Sequence, residues 1–385
     1  MASGTRTATQ RDRALRSYVR RELYPHVEAA RERLNAARLG PDGIRSVADL
    51  SRVEPVALDE VGDGSRHVLR PSRADLLRSG TPFMRARTAW ASTWGRWGAF
   101  MRRLEPAYRP VHFFAADGVP VGAATGDLIR LAGLGAAWLA ETGVSRADTV
   151  ALVGGAGAGI EAWELSGGTR RGGIPLVVVE GADSAARHAA TVVAGRADDV
   201  VAALGGGAWP ALRLAIVFGA NAGTVEKRLV LLRADGQVAV RRAWAPAGTR
   251  SVWFECVGGP TCGWHTVDSA DVVELDPDGE VLWTGLGWAG TVFLRLRTGV
   301  IADRLDDAVC AACAHRGVRV FARPGNAALG RWLRADSRVA DLVLHEHGAD
   351  VLPHRAGAHA RLTAEAKKLF PHHRVAVKTK KTWAK

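Results

Sequence analysis

The sequence predicts an α/β protein: a large domain on a mostly parallel sheet covered on both faces, a β-rich portion after it, and a small α+β unit at the C-terminal end. Three observations carry this. Apolar runs of four to six residues alternate with helical stretches between roughly residues 110 and 220, the pattern of a sheet buried on both sides. From residue 228 the texture changes to alternating strands joined by Asp-Gly turns. With 385 residues and 47% apolar content, the chain can bury a large core and still carry an appendage.

The first element is a helix over residues 12–37, with Leu15, Val19, Leu23, Val27, Ala30 and Leu34 close to a 3.6-residue period. Pro25 should kink or restart it. A turn follows, then a short helix capped at Ser46 and stopped by Pro55. Residues 74–105 read as helical, with Trp90, Trp94 and Trp97 on one face, a spacing that marks core or interface packing. The alternating part then gives a Gly-rich loop, a helix, a strand at 149–153, a second Gly-rich loop (VGGAGAG, 153–159) and a helix. It continues as IPLVVVEG, TVVAGRADDVVAAL and LRLAIVFGA. In the β-rich part, RLVLLRADGQVAVRRAW and VVELDPDGEVLWTG each read as a hairpin. A hinge is expected at 317–326, dividing a large domain (1–318) from a small one (319–385).

Charge and cysteine content narrow the function. The net charge of +13 invites a nucleic-acid reading, but Arg is scattered among Asp and Glu, and a solvated basic surface is favoured. Lys clusters late, at Lys367, Lys368, Lys378, Lys380, Lys381 and Lys385. No apolar run is long enough to span a membrane, and the N-terminus lacks the apolar core of a secretory signal. Four cysteines in so long a chain make no disulfide scaffold, and Cys310-Ala-Ala-Cys313 reads as a metal or redox pair in a cytoplasmic protein. The loop at 153–159 follows a strand and precedes a helix, as a dinucleotide fingerprint would. Glu180 is only a weak match for the acid such a site needs.

Several segments together resemble the phenylacetate–CoA ligase branch of the adenylate-forming (AMP-binding) ligases. They are Leu23-Tyr24, then Ile44, Ser46, Asp49 and Leu50; Glu255-Cys256; Gly263-Trp264-His265; Arg295-Leu296-Arg297-Thr298-Gly299; and Cys310-Ala-Ala-Cys313. The resemblance implies a large AMP-binding domain with a zinc-braced β portion and a small mobile α+β lid. It implies ATP-dependent activation of an aryl or acyl carboxylate to an acyl adenylate and then a CoA thioester, with ATP, Mg²⁺ and CoA as cofactors. It places a structural zinc on Cys256, His265, Cys310 and Cys313, with Cys262 and His315 as spares; the alternative is free cysteines and a core histidine without metal.

The same resemblance places the nucleotide site. Its phosphate loop falls on residues 115–122 around Gly118, fixed by the helix start at Asp127-Leu128, and there the family's hydroxyls and lysine are gone and Asp117 adds a negative charge. Its magnesium carboxylate falls on Gly248, four residues after Trp244, which keeps the aromatic that stacks on adenine. Its ribose-binding acid falls on Val300. Arg295 and Thr298 remain beside it, and Arg297 is the candidate catalytic cation. The lid lysine falls among Lys378, Lys380 and Lys381, with Lys380 taken for the role. Three lost polar groups predict weak ATP binding. Two readings follow: a ligase with an altered nucleotide site, or a non-catalytic pseudo-ligase that binds an acyl ligand, a protein partner or a second copy of itself.

Overall fold

A computed structural model describes residues 8–79, 81–116, 118–154, 159–179, 189–205, 209–219, 238–267, 269–322, 339–345, 348–353, 361–364 and 374–377. The N-terminal helix Ala8–Tyr18 widens into a π-helical stretch, Val19–Leu23, immediately before Pro25. A proline cannot donate to the preceding turn, and the widened turn absorbs the missing bond. The helix ends at His26, where Val27 turns extended (φ −116°, ψ 110°), and a new helix runs Glu28–Ala36. Leu15, Val19, Leu23, Val27 and Leu34 are all fully buried, as their spacing requires. The segment behind Ser46 is a 3₁₀ helix, Val47–Arg52, held by the Asp49 carboxylate, which accepts from the Ser46 amide and hydroxyl at 2.9 and 3.0 Å.

The tryptophan-rich stretch forms three helices, Arg73–Ser79, Pro82–Thr93 and Trp97–Tyr108. Its stripe is divided: Trp97 packs on a small core with Leu76, Ala91 and Phe100, while Trp90 and Trp94 are exposed.

Strands β1 (His112–Ala116) and β2 (Val119–Ala123) form an antiparallel hairpin. The alternating region supplies β3 (Val150–Val153), β4 (Leu176–Val179), β5 (Val192–Arg196), β6 (Leu214–Phe218) and β7 (Ala239–Trp244). These run parallel in the order β4-β3-β5-β6-β7. Alternate residues feed two cores: Leu152, Ala194 and Ile216 pack with Trp138 and Leu165 on one face, and Val153, Val193 and Val217 with Val200 and Ala203 on the other. The helices Thr125–Glu141 and Gly159–Gly172 cover the first face and Ala197–Gly205 the second. The first two cross in near contact at Gly135 and Gly168, where an added Cβ would run into the facing backbone.

The sheet continues without a break into an antiparallel half. There β8 (Trp253–Phe254), β9 (Trp264–His265), β10 (Asp271–Leu275), β11 (Glu280–Gly285), β12 (Leu296–Asp306) and β13 (Arg319–Ala322) extend it to eleven strands among the described residues, ordered β10-β11-β12-β13-β9-β8-β7 beyond the junction. The hairpin expected at Asp-Pro-Asp-Gly is β10–β11. The one expected around Ala-Asp-Gly falls mostly outside the described residues; its second half is β7, which pairs parallel with β6 and antiparallel with β8. Because β13 pairs with both β12 and β9, the large sheet extends past position 318 through Ala322. Beyond it, β14 (Val339–His345), β15 (Gly348–Pro353) and β16 (Arg374–Val377) form a separate three-stranded sheet. Among the described residues, no helix is long and apolar enough to cross a membrane.

Candidate functional site

The antiparallel half brings four candidate metal ligands together, three thiols and one imidazole. Cys256 lies two residues past β8, His265 ends β9, and Cys310 and Cys313 sit in the turn before β13, closed by the Ala314 amide on the Cys310 carbonyl at 2.8 Å. Their ligand atoms lie within 4.8 Å of one another, with Cys256 Sγ 4.0 Å from Cys310 Sγ and Cys313 Sγ 3.6 Å from His265 Nε2. A tetrahedral zinc site with metal–sulfur bonds of about 2.3 Å has sulfur–sulfur edges of roughly 3.8 Å, so the cage is the right size.

The donor chemistry fits as well. Burial, with His315 beside it, holds the His265 imidazole down at about 4, neutral and able to ligate at ordinary pH. Burial pushes the Cys256 and Cys313 thiols up to about 11. Burial also acts to raise Cys310, but amides of Cys313 and Ala312 donating to its sulfur outweigh that and bring it to about 7. The spares lie at the edge of the quartet, the Cys262 thiol beside those of Cys256 and Cys310. His315 directs Nε2 at the Thr266 carbonyl (2.8 Å) and Nδ1 at Glu141 (2.7 Å), which occupies both ring nitrogens. Cys262 is half-buried beside Gly258, where an added Cβ would press on its sulfur.

The positions assigned to the nucleotide are engaged within the protein. Gly118 sits in the two-residue turn of the β1–β2 hairpin with φ 84°. Trp244 meets Trp253 and Trp264 edge-on at 5.7 and 5.6 Å, a three-indole cluster. Arg295, buried and itself at positive φ (53°), donates to the Val53 carbonyl, while its amide bonds the Thr284 hydroxyl at 2.8 Å. Arg297 reaches Glu280 at 2.8 Å and Asp276 at 3.4 Å. The Thr298 hydroxyl donates to the Val281 carbonyl at 2.6 Å, and Val300 lies in the main core, 2% exposed. Lys380 and Asp117 lie outside the described residues, as do Glu180 and residues 155–158 of the dinucleotide-like loop. At the start of that loop, Gly154 packs against the Asp199 carboxylate, an unfavourable neighbour for a phosphate.

Gly248 is the most constrained of these positions. It adopts φ 81°, and an added Cβ would lie 2.8 Å from both Leu58 and Leu296. Restoring a carboxylate there by Gly248→Glu is therefore expected to destabilise the fold by about 1–3 kcal/mol from overpacking, with left-handed backbone strain added to that. Urea unfolding of the variant measures it, and an unchanged midpoint would contradict the packing described.

Sequence reading missed the most heavily bonded polar group in this region. Asp127 accepts the Ala124, Ala289 and Gly290 amides at 2.9, 2.9 and 2.8 Å, and pairs at 2.7 Å with Arg250. Arg250 also donates to the Gly122 and Thr291 carbonyls and lies 5.1 Å from the centre of the Trp288 ring. Both side chains are almost fully buried. Asp127 was visible only as a helix-start landmark; its partner lies 123 positions away. Glu164 was missed too. Burial, with Asp271 close by, pushes its carboxyl well above the usual range, and the Trp138 indole donates to it at 3.0 Å.

No family model matches the sequence, and no curated protein does. Solved structures do. 2-Hydroxyisobutyryl-CoA ligase, in an open conformation with 2-HIB-AMP and CoA, aligns over 97% of this chain and 88% of its own length with a TM-score of 0.59 at 13% identity. The same ligase in its postadenylation state with 2-HIB-AMP gives a TM-score of 0.60 at 12% identity, over 97% and 85%. The chain shares the fold of that CoA ligase. At this identity the likeness is one of architecture.

Proposed function

We propose that this chain is a pseudo-ligase: a protein of ligase fold, braced by structural zinc at Cys256, His265, Cys310 and Cys313, that has given up ATP-dependent acyl activation and binds an acyl ligand or a protein partner in the cytoplasm. The observation that carries this reading is the packing at the two positions where an ATP-using relative of the phenylacetate–CoA ligase type needs carboxylates. Gly248 has Leu58 and Leu296 against it, and Val300 belongs to the core. Arg295 and Arg297, the retained cations, spend their guanidinium bonds on the Val53 carbonyl and on Glu280.

The competing reading is an acid–thiol ligase of the acyl-CoA synthetase type, working with Arg297 and Lys380 at an altered nucleotide site. It draws on the extent of the fold likeness, 97% of the chain. Calorimetry with ATP, AMP and CoA, each with and without Mg²⁺, separates the two. Each polar group of a ligand left unpaired costs about 1–3 kcal/mol, so losing the hydroxyl donors, the metal carboxylate and the ribose acid together weakens ATP by roughly three decades or more. The expected result is no saturable ATP·Mg binding in the micromolar range. ATP-dependent thioester formation from any carboxylic acid would overturn the pseudo-ligase reading.

A further inference from the structure

The break in the N-terminal helix at His26 and the segment at 65–78 enclose a cavity of about 430 Å³ that shares no residue with the metal centre or with the nucleotide positions. Four arginines line it, Arg31, Arg66, Arg70 and Arg78, against two carboxylates, Glu28 and Asp75. The acids are already taken. Glu28 accepts from Arg66 at 2.9 Å, and Asp75 accepts from Arg78 at 3.2 Å and from the Ser72 hydroxyl.

Arg31 and Arg70 are the cations left over. Arg31 gives one bond, at 3.2 Å, to the Pro25 carbonyl. The exposed Arg70 guanidinium makes no hydrogen bond or ion pair with a described residue. The wall also contributes His26, 6% exposed, whose buried Nδ1 has no hydrogen-bond partner. A buried nitrogen left unpaired is costly unless something else meets it.

We propose that this cavity binds the phosphate group of a small molecule, a monoester or a pyrophosphate. Two guanidinium groups with no carboxylate among the described residues at ion-pair distance match the charge and the forked geometry of a phosphate dianion better than the single charge of a carboxylate. His26 belongs to the same wall, so its ring reports on an occupant of the cavity. The volume falls in the range of small-molecule sites, so it accepts a phosphate with part of the molecule that bears it. The proposal is independent of the pseudo-ligase reading, since either function leaves this cavity in place.

Calorimetry on the full chain with inorganic phosphate, pyrophosphate and CoA tests it. At least one probe is expected to bind saturably, and Arg31→Ala and Arg70→Ala should each raise its dissociation constant tenfold or more. The unliganded thermal midpoint should not move, because neither arginine is deeply buried. Binding of inorganic phosphate alone would identify the free ion as ligand; binding of CoA without inorganic phosphate would identify a phosphorylated cofactor. Nitrogen-15 spectra of the histidine rings supply a second readout, in which a signal lost in His26→Asn should shift on addition of the probe. No saturable binding by any of the three probes, or affinities unchanged in both arginine variants, would overturn the assignment.

Discussion

Replacing Cys310 with alanine is expected to leave the protein largely unfolded or insoluble, with the loss of one zinc ion per chain. The four ligands come from two turns and one short strand, Cys256 and Cys310 being 54 positions apart. Short strands such as β8 and β9, two residues each, gain little from their own pairing. In small zinc-dependent folds the metal contributes on the order of 10 kcal/mol, folding free energy that a three-ligand site largely forfeits. Because the thiols must give up protons to bind the metal, zinc should also be lost as pH falls, and with it the stability of the antiparallel half. Elemental analysis and chelator titration with circular dichroism measure both effects. Purified protein without stoichiometric zinc, yet fully folded, would end the structural-zinc proposal.

The second large effect concerns Arg250→Met. The substitution strips Asp127 of its counter-charge and removes the guanidinium from the Gly122 and Thr291 carbonyls, of which Gly122 keeps the Thr291 amide, all in the interior. Breaking a buried pair by removing one partner costs about 3–5 kcal/mol, because the remaining charge has no solvent. The double variant Asp127→Leu, Arg250→Met should recover part of that loss. The three amides that Asp127 now satisfies set a limit on the recovery. Denaturant midpoints of the three proteins form the cycle. A single variant as stable as the parent would show that the pair is not the brace its contacts imply.

What could be read from the sequence divides along physical lines. Uninterrupted apolar runs such as LAIVF and LVVV can only be buried on both faces, so the parallel half was legible with its strand positions nearly correct. The Asp-Pro-Asp-Gly turn and the capped segment at Ser46 were legible because turn and cap chemistry are local. The break after His26 was legible because proline's constraint is local too. The metal quartet came from a resemblance joined to one short spacing.

The surroundings of the arginines at 295 and 297 were not legible. Whether a guanidinium meets a ligand or the protein's own Val53 carbonyl and Glu280 depends on where distant strands place those acceptors. The tie between Asp127 and Arg250 was invisible for the same reason. Nor could the sequence show that position 248 takes a left-handed conformation against two leucines, which turns a lost carboxylate into a packing requirement.

The place of β13 has a consequence for how the chain is made. Translation delivers β8 and β9 early, then the β10–β11–β12 meander, and only afterwards the strand that must be inserted between β9 and β12. The parallel half, complete by Trp244, can assemble while the rest is still being synthesised. The antiparallel half has to hold a gap one strand wide until residues 319–322 leave the ribosome. Until then His265 lacks its neighbour Arg319, and the turn of Cys310 and Cys313 is joined to the rest only through His315, at Thr266 and Glu141. With the proposed zinc, closing that gap would complete the frame around an ion whose four ligands have already been made, and a truncation ending before Arg319 is expected to retain zinc less tightly than the full chain.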